Sequence, residues 1–266
     1  MQCGAILVYT AGIHRLRELG DVGFENCLNC VPQWRRQRIQ VYRNMDDRLR
    51  SLACSLLLVE GCAELGWDSQ GYIGENGRPM LSGEGHYISL AHAGDYAAVA
   101  FSREPVGIDV EETRRFTLER MEKIGRKILT DKEKQYLYNL SHGRIGLVDC
   151  SDNLENVLSE SGEIKSVDIA LTEDVKKRRE VSDFDKISNY DGTSSLVTPD
   201  CAQTVAFARI WTCKEAYAKR NGKGLSMDLR EIETMQEDLF YSCALGEDYV
   251  ISACGSNLAN IREVCI

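Results

Sequence analysis

WTCKEAYAKRNGKGL, residues 211–225, reads as an α-helix brought to a stop by glycines. Trp211, Glu215 and Lys219 fall at i, i+4 and i+8, so all three lie along one side of it. Glu215 stands four residues N-terminal to Lys219, the better orientation for a surface pair worth ~0.2–0.5 kcal/mol. Gly222 and Gly224 suit the left-handed turn that closes a helix. The stretch alone has two readings. It is a stapled surface helix with a buried Trp, or it is one half of an active site.

VGIDVEE, residues 106–112, supplies what the second reading needs. In a strand, alternate residues face one way, so Asp109 and Glu111 share one face and Ile108 and Val110 the other. Two carboxylates on one side of a short apolar strand repel, and burial raises the cost. A divalent cation relieves both, and oxygen-only ligands suit Mg²⁺. A half-exposed strand with a solvated acidic face is the alternative. If the helix faces this strand, Glu215 becomes a third oxygen ligand and Lys219 lies one turn away, near any phosphate.

Three further places offer contacts for an anion. In LAHAGDY, His92 sits at a strand end beside a turn, and its small neighbours Ala91 and Ala93 let a ligand come close. In WRRQRIQVYRNMDDRLR, residues 34–50, Arg35 and Arg38 share a helical face, and guanidinium forks suit phosphate oxygens. Arg78, in NGRPML, is a loop candidate. Each also has a plainer reading: a capped turn histidine, a solvated basic face paired with Asp46 and Asp47, and a lone loop cation.

The chain of 266 residues is 43% hydrophobic, enough for a large core in one domain or two small ones. Its net charge of −9 and pI near 5.1 argue against general nucleic-acid binding, so an anionic ligand needs a local basic patch. Eleven cysteines, an odd number, lie largely within apolar runs such as SLACSLLLVEGCAELG, as small buried hydrophobes in a reducing cytoplasm. Cys27 and Cys30 form one C-x-x-C with no second pair at finger-like spacing. No secretory leader or membrane-spanning run is expected.

Residues 5–13 read as a strand, 31–65 as helix, and GYIGENGRPML (71–81) as loop. Residues 86–102 read as two strands about Ala93-Gly94-Asp95, and 106–110 as a buried strand. Residues 118–140 read as helix with a restart near Leu129, where T-D-K-E gives Thr130 a capping box. From about 141 to 203 the chain turns acidic and serine-rich with no sustained period, which reads as an insertion. TVAFARIW then resumes the fold, and FYSCAL and DYVISAC close it as strands.

NGRP (76–79), ISLAHAG (88–94), VGIDVE (106–111) and WTCKEAYAKRNGKGL (211–225) together resemble the 4′-phosphopantetheinyl transferase family, in its larger type that activates surfactin synthetase. The family patterns are G-K/R-P, S-H-S, G-I-D-I/V-E and W-[S/T]-x-K-E-A/S-x-x-K followed by G-K-G-L. The resemblance covers about residues 1–140 and 204–266. It implies an α+β pseudo-dimer of two similar halves, residues 1–103 and 104–266, with coenzyme A in the cleft between them. It also implies transfer of 4′-phosphopantetheine from coenzyme A to a serine of an apo acyl- or peptidyl-carrier protein, releasing adenosine 3′,5′-bisphosphate. Carried over to this sequence, Asp109, Glu111 and Glu215 hold Mg²⁺. Glu215 is the base for the serine hydroxyl, directly or through a metal-bound water, and Lys219 stabilises or protonates the leaving phosphate. Arg35, Arg38, Arg78, Ala91, His92, Asp109 and Lys219 contact the coenzyme. Ala91 stands where the family has serine. A cytoplasmic monomer with no nucleic acid and no membrane partner is expected. Two rivals stand beside this reading: a Mg²⁺-dependent phosphate-ester hydrolase using the same carboxylates, and a carrier-binding module without turnover.

Overall fold

The computed structural model describes residues 5–142, 199–222, 224, 227–235, 239–264 and 266. Most of the stretch read as an insertion lies outside the described residues, as do Lys223 and Leu225 of the glycine-rich tail.

The first half opens with β1 (Ala5–Gly12), followed by the short α1 (His14–Arg17), α2 (Gly20–Cys30), α3 (Gln33–Gln40) and the long α4 (Met45–Leu65). A small hairpin, β2 (Gly71–Ile73) and β3 (Pro79–Leu81), leads into β4 (Tyr87–Ala93) and β5 (Tyr96–Ser102). The second half has β6 (Gly107–Glu112), α5 (Leu118–Ile128), α6 (Asp131–Ser141), α7 (Pro199–Asn221), β7 (Phe240–Leu245) and β8 (Tyr249–Cys254). β9 (Asn257–Glu263) crosses back and pairs in parallel with β1.

Two sheets carry the fold, ordered β4-β5-β1-β9 and β6-β8-β7. Their alternation is strict, and it builds the layers. Leu7 and Tyr9 of β1 and Val99 and Phe101 of β5 face α4 in one apolar cluster. Ile6, Val8, Ala98 and Ala100 face the opposite way, onto Ile108, Val110, Ile251 and Ala253 of the second sheet. Behind that sheet, Val250 joins Phe207, Ile210 and Ala218 of α7 and residues of α5 and α6. The order through the molecule is helix, sheet, sheet, helix. Alanine is the commonest residue on the β4–β5 side of the seam, with Ala91, Ala93, Ala98 and Ala100, and the larger Ile and Val side chains come from β1, β6 and β8.

Local chemistry fixes the element ends. The helix read over 31–65 is broken at 41–44, because the side chain of Asn44 caps a new helix by accepting from Asp46 N at 2.8 Å. Gly66, left-handed at φ 66°, ends that helix. The capping box at Thr130 is present, with α5 ending at Ile128 just before it. The loop read over 71–81 is a hairpin of two three-residue strands, turned by Asn76 and Gly77 at positive φ. Strands that short show no period. α7 begins at Pro199, inside the stretch read as an insertion. Helices α1 and α2 and strand β9 are additions to the sequence reading.

Candidate active site

β6 and α7 meet at backbone contact. A Cβ added at Gly107 would lie 1.8 Å from the carbonyl oxygen of Ala216, so only glycine allows this approach. Two residues along the strand, Asp109 faces the helix as the alternation requires. Its Oδ1 accepts from Lys219 Nζ at 2.7 Å. Lys219 also donates to the carbonyl of Ile108 at 2.9 Å and to that of Leu90 at 3.5 Å, and so bridges β6, β4 and α7. The seam between the sheets is pinned at the same level by Ser89 Oγ, which accepts from Ile108 N at 3.0 Å.

Asp109 is only 8% exposed, and its Oδ2 is buried with no hydrogen-bond partner among the described residues. Oε1 of Glu215 is in the same condition. Glu111 is differently placed. Its Oε1 accepts from Trp211 Nε1 at 3.4 Å, and its Oε2 pairs with Arg115 Nη1 at 3.1 Å. The carboxylates feel one another. Burial first, and then the charge of Asp109, push Glu215 up to about 7. The same two causes raise Glu111. Burial raises Asp109 against the pull of Lys219.

Beyond Lys219 lies a cavity of about 250 Å³, lined by Arg78, Ser89, Leu90, Lys219 and Gly222 among others. Gly222, at φ 69°, ends α7, and a Cβ there would stand 2.9 Å from Arg78 Nη1. Asn76 Nδ2 donates to the carbonyl of Gly222 at 3.1 Å, so the β2–β3 hairpin closes against the end of α7. Arg78 is held there, its guanidinium acidified by burial.

The remaining sequence candidates divide. His92 lies at the end of β4, keeping solvent contact while protein atoms crowd the ring. That crowding, with the cations Arg50 and Lys219, holds the imidazole down to about 4, so it is neutral at physiological pH. Ala91 is buried in the seam between the sheets, and its carbonyl accepts from Cys54 Sγ at 3.3 Å. Arg38 is exposed on α3, its guanidinium over the Tyr42 ring. Arg35, expected on the same face, turns into the interior. It is 5% exposed and donates to Ser55 Oγ at 2.9 Å and Ser51 Oγ at 3.3 Å on α4.

One feature of the site is absent from the sequence reading. Lys214, the residue before Glu215, is fully buried and paired at 2.9 Å with an equally buried Glu133. Its ammonium also donates to the carbonyls of Leu229 and Ile232, at 2.8 and 2.6 Å. Glu133 accepts in addition from Thr130 N, Thr234 N and Thr234 Oγ1. Every hydrogen of the ammonium is used, and α7 is locked to α6 and to the 229–232 turn one residue from Glu215. The T-D-K-E capping box was the sequence's only trace of Glu133.

The family model of the 4′-phosphopantetheinyl transferase superfamily matches residues 164–256. The match is about a third of the chain. It takes in α7 with Trp211, Glu215 and Lys219, and strands β7 and β8. It starts beyond β6, so Asp109 and Glu111 stand outside it. It also runs through residues 164–203, part of the stretch that the motif resemblance set aside as an insertion. No curated protein matches the chain. Among the described residues, no helix is long and apolar enough to cross a membrane.

The donor chemistry fits a hard divalent cation. Two buried carboxylate oxygens lack partners among the described residues, all the candidate ligands are oxygen, and the carboxylates raise one another. Among the described residues, no three His, Cys, Asp or Glu side chains already converge as a metal cluster. Lys219 engages Asp109 and Arg115 engages Glu111, so each of these two carboxylates has a protein cation beside it.

Proposed function

We propose that the chain moves 4′-phosphopantetheine from coenzyme A to the serine hydroxyl of an apo acyl- or peptidyl-carrier protein, in a Mg²⁺-dependent reaction. The reading includes the larger, surfactin-synthetase-activating type and a pseudo-two-fold relation between residues 1–103 and 104–266. The observation that carries it is the meeting of Asp109 and Lys219 across β6 and α7, beside the orphaned Glu215 oxygen and a cavity lined by Arg78. The superfamily match over α7 supports the same chemistry.

Asp109, Glu111 and Glu215 would hold the metal, which supplies charge neutralisation and orientation of the diphosphate. The protein's own groups do the rest. Arg78 and Lys219 bring positive charge to the cavity and favour a diphosphate there. The serine oxygen forms a bond to the phosphorus that bears pantetheine, and the bond from that phosphorus to the bridging oxygen breaks. Glu215 accepts the serine proton, the role the motif resemblance gives it, from a place on α7 beside Lys219. Lys219 stabilises the charge that develops on the departing adenosine 3′,5′-bisphosphate. His92, neutral, and Arg38, exposed, are the contacts proposed for the rest of the coenzyme. Arg35 would act through α3, holding it against α4 from within.

The test is to follow release of adenosine 3′,5′-bisphosphate from coenzyme A with and without an apo carrier protein. Release that requires the carrier and Mg²⁺ is expected. Release of equal rate without a carrier would make the protein a hydrolase. Carrier binding indifferent to Mg²⁺, with no release, would make it a binding module.

A further inference from the structure

Arg115 belongs to no motif in the sequence reading, yet it is the closest cation to Glu111. It ends the turn Thr113–Arg115, which follows β6 directly. That turn is anchored on both sides. Thr113 donates to the carbonyl of Asp248 through N and Oγ1, at 2.7 and 2.9 Å. Phe116 is buried against Phe207 of α7, with ring centroids 5.3 Å apart. A fixed backbone thus aims the Arg115 fork at Glu111 Oε2, 3.1 Å away. The neighbouring Arg114 is spent on Glu112 at 2.8 Å, so the division of labour within the turn is definite. The other groups that act on Glu111 are Trp211, which donates to Oε1, the like charges of Asp109 and Glu215, and the more distant Arg120 on α5.

We propose that Arg115 is a built-in competitor for the metal, and that its hold on Glu111 sets the affinity of the site for a divalent cation. The inference rests on the metal-dependent reading above. Both oxygens of Glu111 are engaged, whereas Oδ2 of Asp109 and Oε1 of Glu215 are buried without a partner among the described residues. A cation that takes Glu111 competes with Arg115 for the charge of that carboxylate. Arg115 is therefore a positioning residue that acts through Glu111. At 45% exposure its guanidinium can move into water once released.

The test is Mn²⁺ binding to the full-length protein, read from the electron paramagnetic resonance signal of free Mn²⁺, with no coenzyme and no turnover. Arg115→Gln is expected to tighten binding about two- to five-fold, the range set by the loss of one partly exposed ion pair. Arg115→Lys, which keeps the charge but not the fork, is expected to fall between Gln and wild type. In a Glu111→Gln background the Arg115→Gln effect is expected to vanish. Circular dichroism checks that each variant is folded. Unchanged or weaker Mn²⁺ binding by Arg115→Gln would overturn the inference while leaving the metal reading intact. So would an undiminished effect in the Glu111→Gln background, which would reduce Arg115 to a distant charge. Absence of Mn²⁺ binding by wild type and by Arg115→Gln alike would overturn the metal reading, and this inference with it.

Discussion

Lys219 is held at three points, by the Asp109 carboxylate and the carbonyls of Ile108 and Leu90, so its charge is fixed in place before any ligand arrives. Such preorganisation favours the transition state over the bound coenzyme. Lys219→Met should therefore slow transfer by about 100-fold or more while changing coenzyme affinity by less than about ten-fold. Single-turnover rates and a separate binding titration check this; the reverse pattern would assign Lys219 to binding. Glu215 gives a prediction about stability. Its folded-state pKa, about 7, lies above the ordinary 4.5, so the folded chain holds this proton more tightly than the unfolded chain. The contribution is favourable below pH 4.5 and is lost as pH rises towards 7. With chelator at pH 8, Glu215→Gln should be more stable than wild type by about 1–3 kcal/mol, and at pH 4 the difference should be small. Thermal melts at the two pH values read it directly. Added Mg²⁺ should raise the wild-type melting temperature and close the gap at pH 8.

The residues were unevenly legible. Asp109, Glu111, Glu215 and Lys219 could be placed on their faces from periods of two and of about four, and the structure puts them there. Arg35 could not, because helical spacing says which residues share a face but not how wide the buried sector is. Two serines on α4 satisfy a guanidinium that the pattern had sent outward. Arg115 and Lys214 depend on contacts between elements distant in sequence, about which spacing within one element is silent.

At the scale of elements, the site is a consequence of how closely β6 approaches α7. Gly107→Ala forces a methyl into the carbonyl of Ala216, which backbone cannot yield cheaply. It should cost about 1–3 kcal/mol and move Asp109 away from Lys219. Transfer activity should therefore fall further than denaturant-measured stability alone explains. Lys214→Ala leaves Glu133 buried without its counter-ion, a loss of about 3–5 kcal/mol. A destabilisation below about 1 kcal/mol in urea would show that water replaces the ammonium. Helix and strand identities were legible in β1, β4, β5 and α4, but not in α2 or β9, which are of comparable length to those strands. The β2–β3 hairpin was hidden by its brevity. The break before α4 was carried by one capping residue, Asn44, inside an otherwise helical pattern.

The whole molecule is two sheets back to back, each covered by a long helix, with the site where their edges meet at β4 and β6. The last strand ties the halves together. β9 leaves the second half and completes the first sheet beside β1, where Arg262 and Tyr9 both engage Glu64 of α4. Nothing in its mixed sequence marked that crossing, since strand partners are set by topology. Removing residues 257–266 should expose the β1 edge and the core around Val264, and lower both solubility and melting temperature. A truncated chain with an unchanged melting temperature would show that β9 adds little to the fold. The most direct test of the account is the intact mass of a panel of apo carrier proteins after incubation with this protein, coenzyme A and Mg²⁺. A gain of one phosphopantetheine is expected on at least one carrier, abolished by chelator, by Asp109→Ala, and by serine-to-alanine substitution in the carrier. A gain that survives Asp109→Ala, or no gain on any carrier by a protein that binds coenzyme A and Mg²⁺, would contradict it.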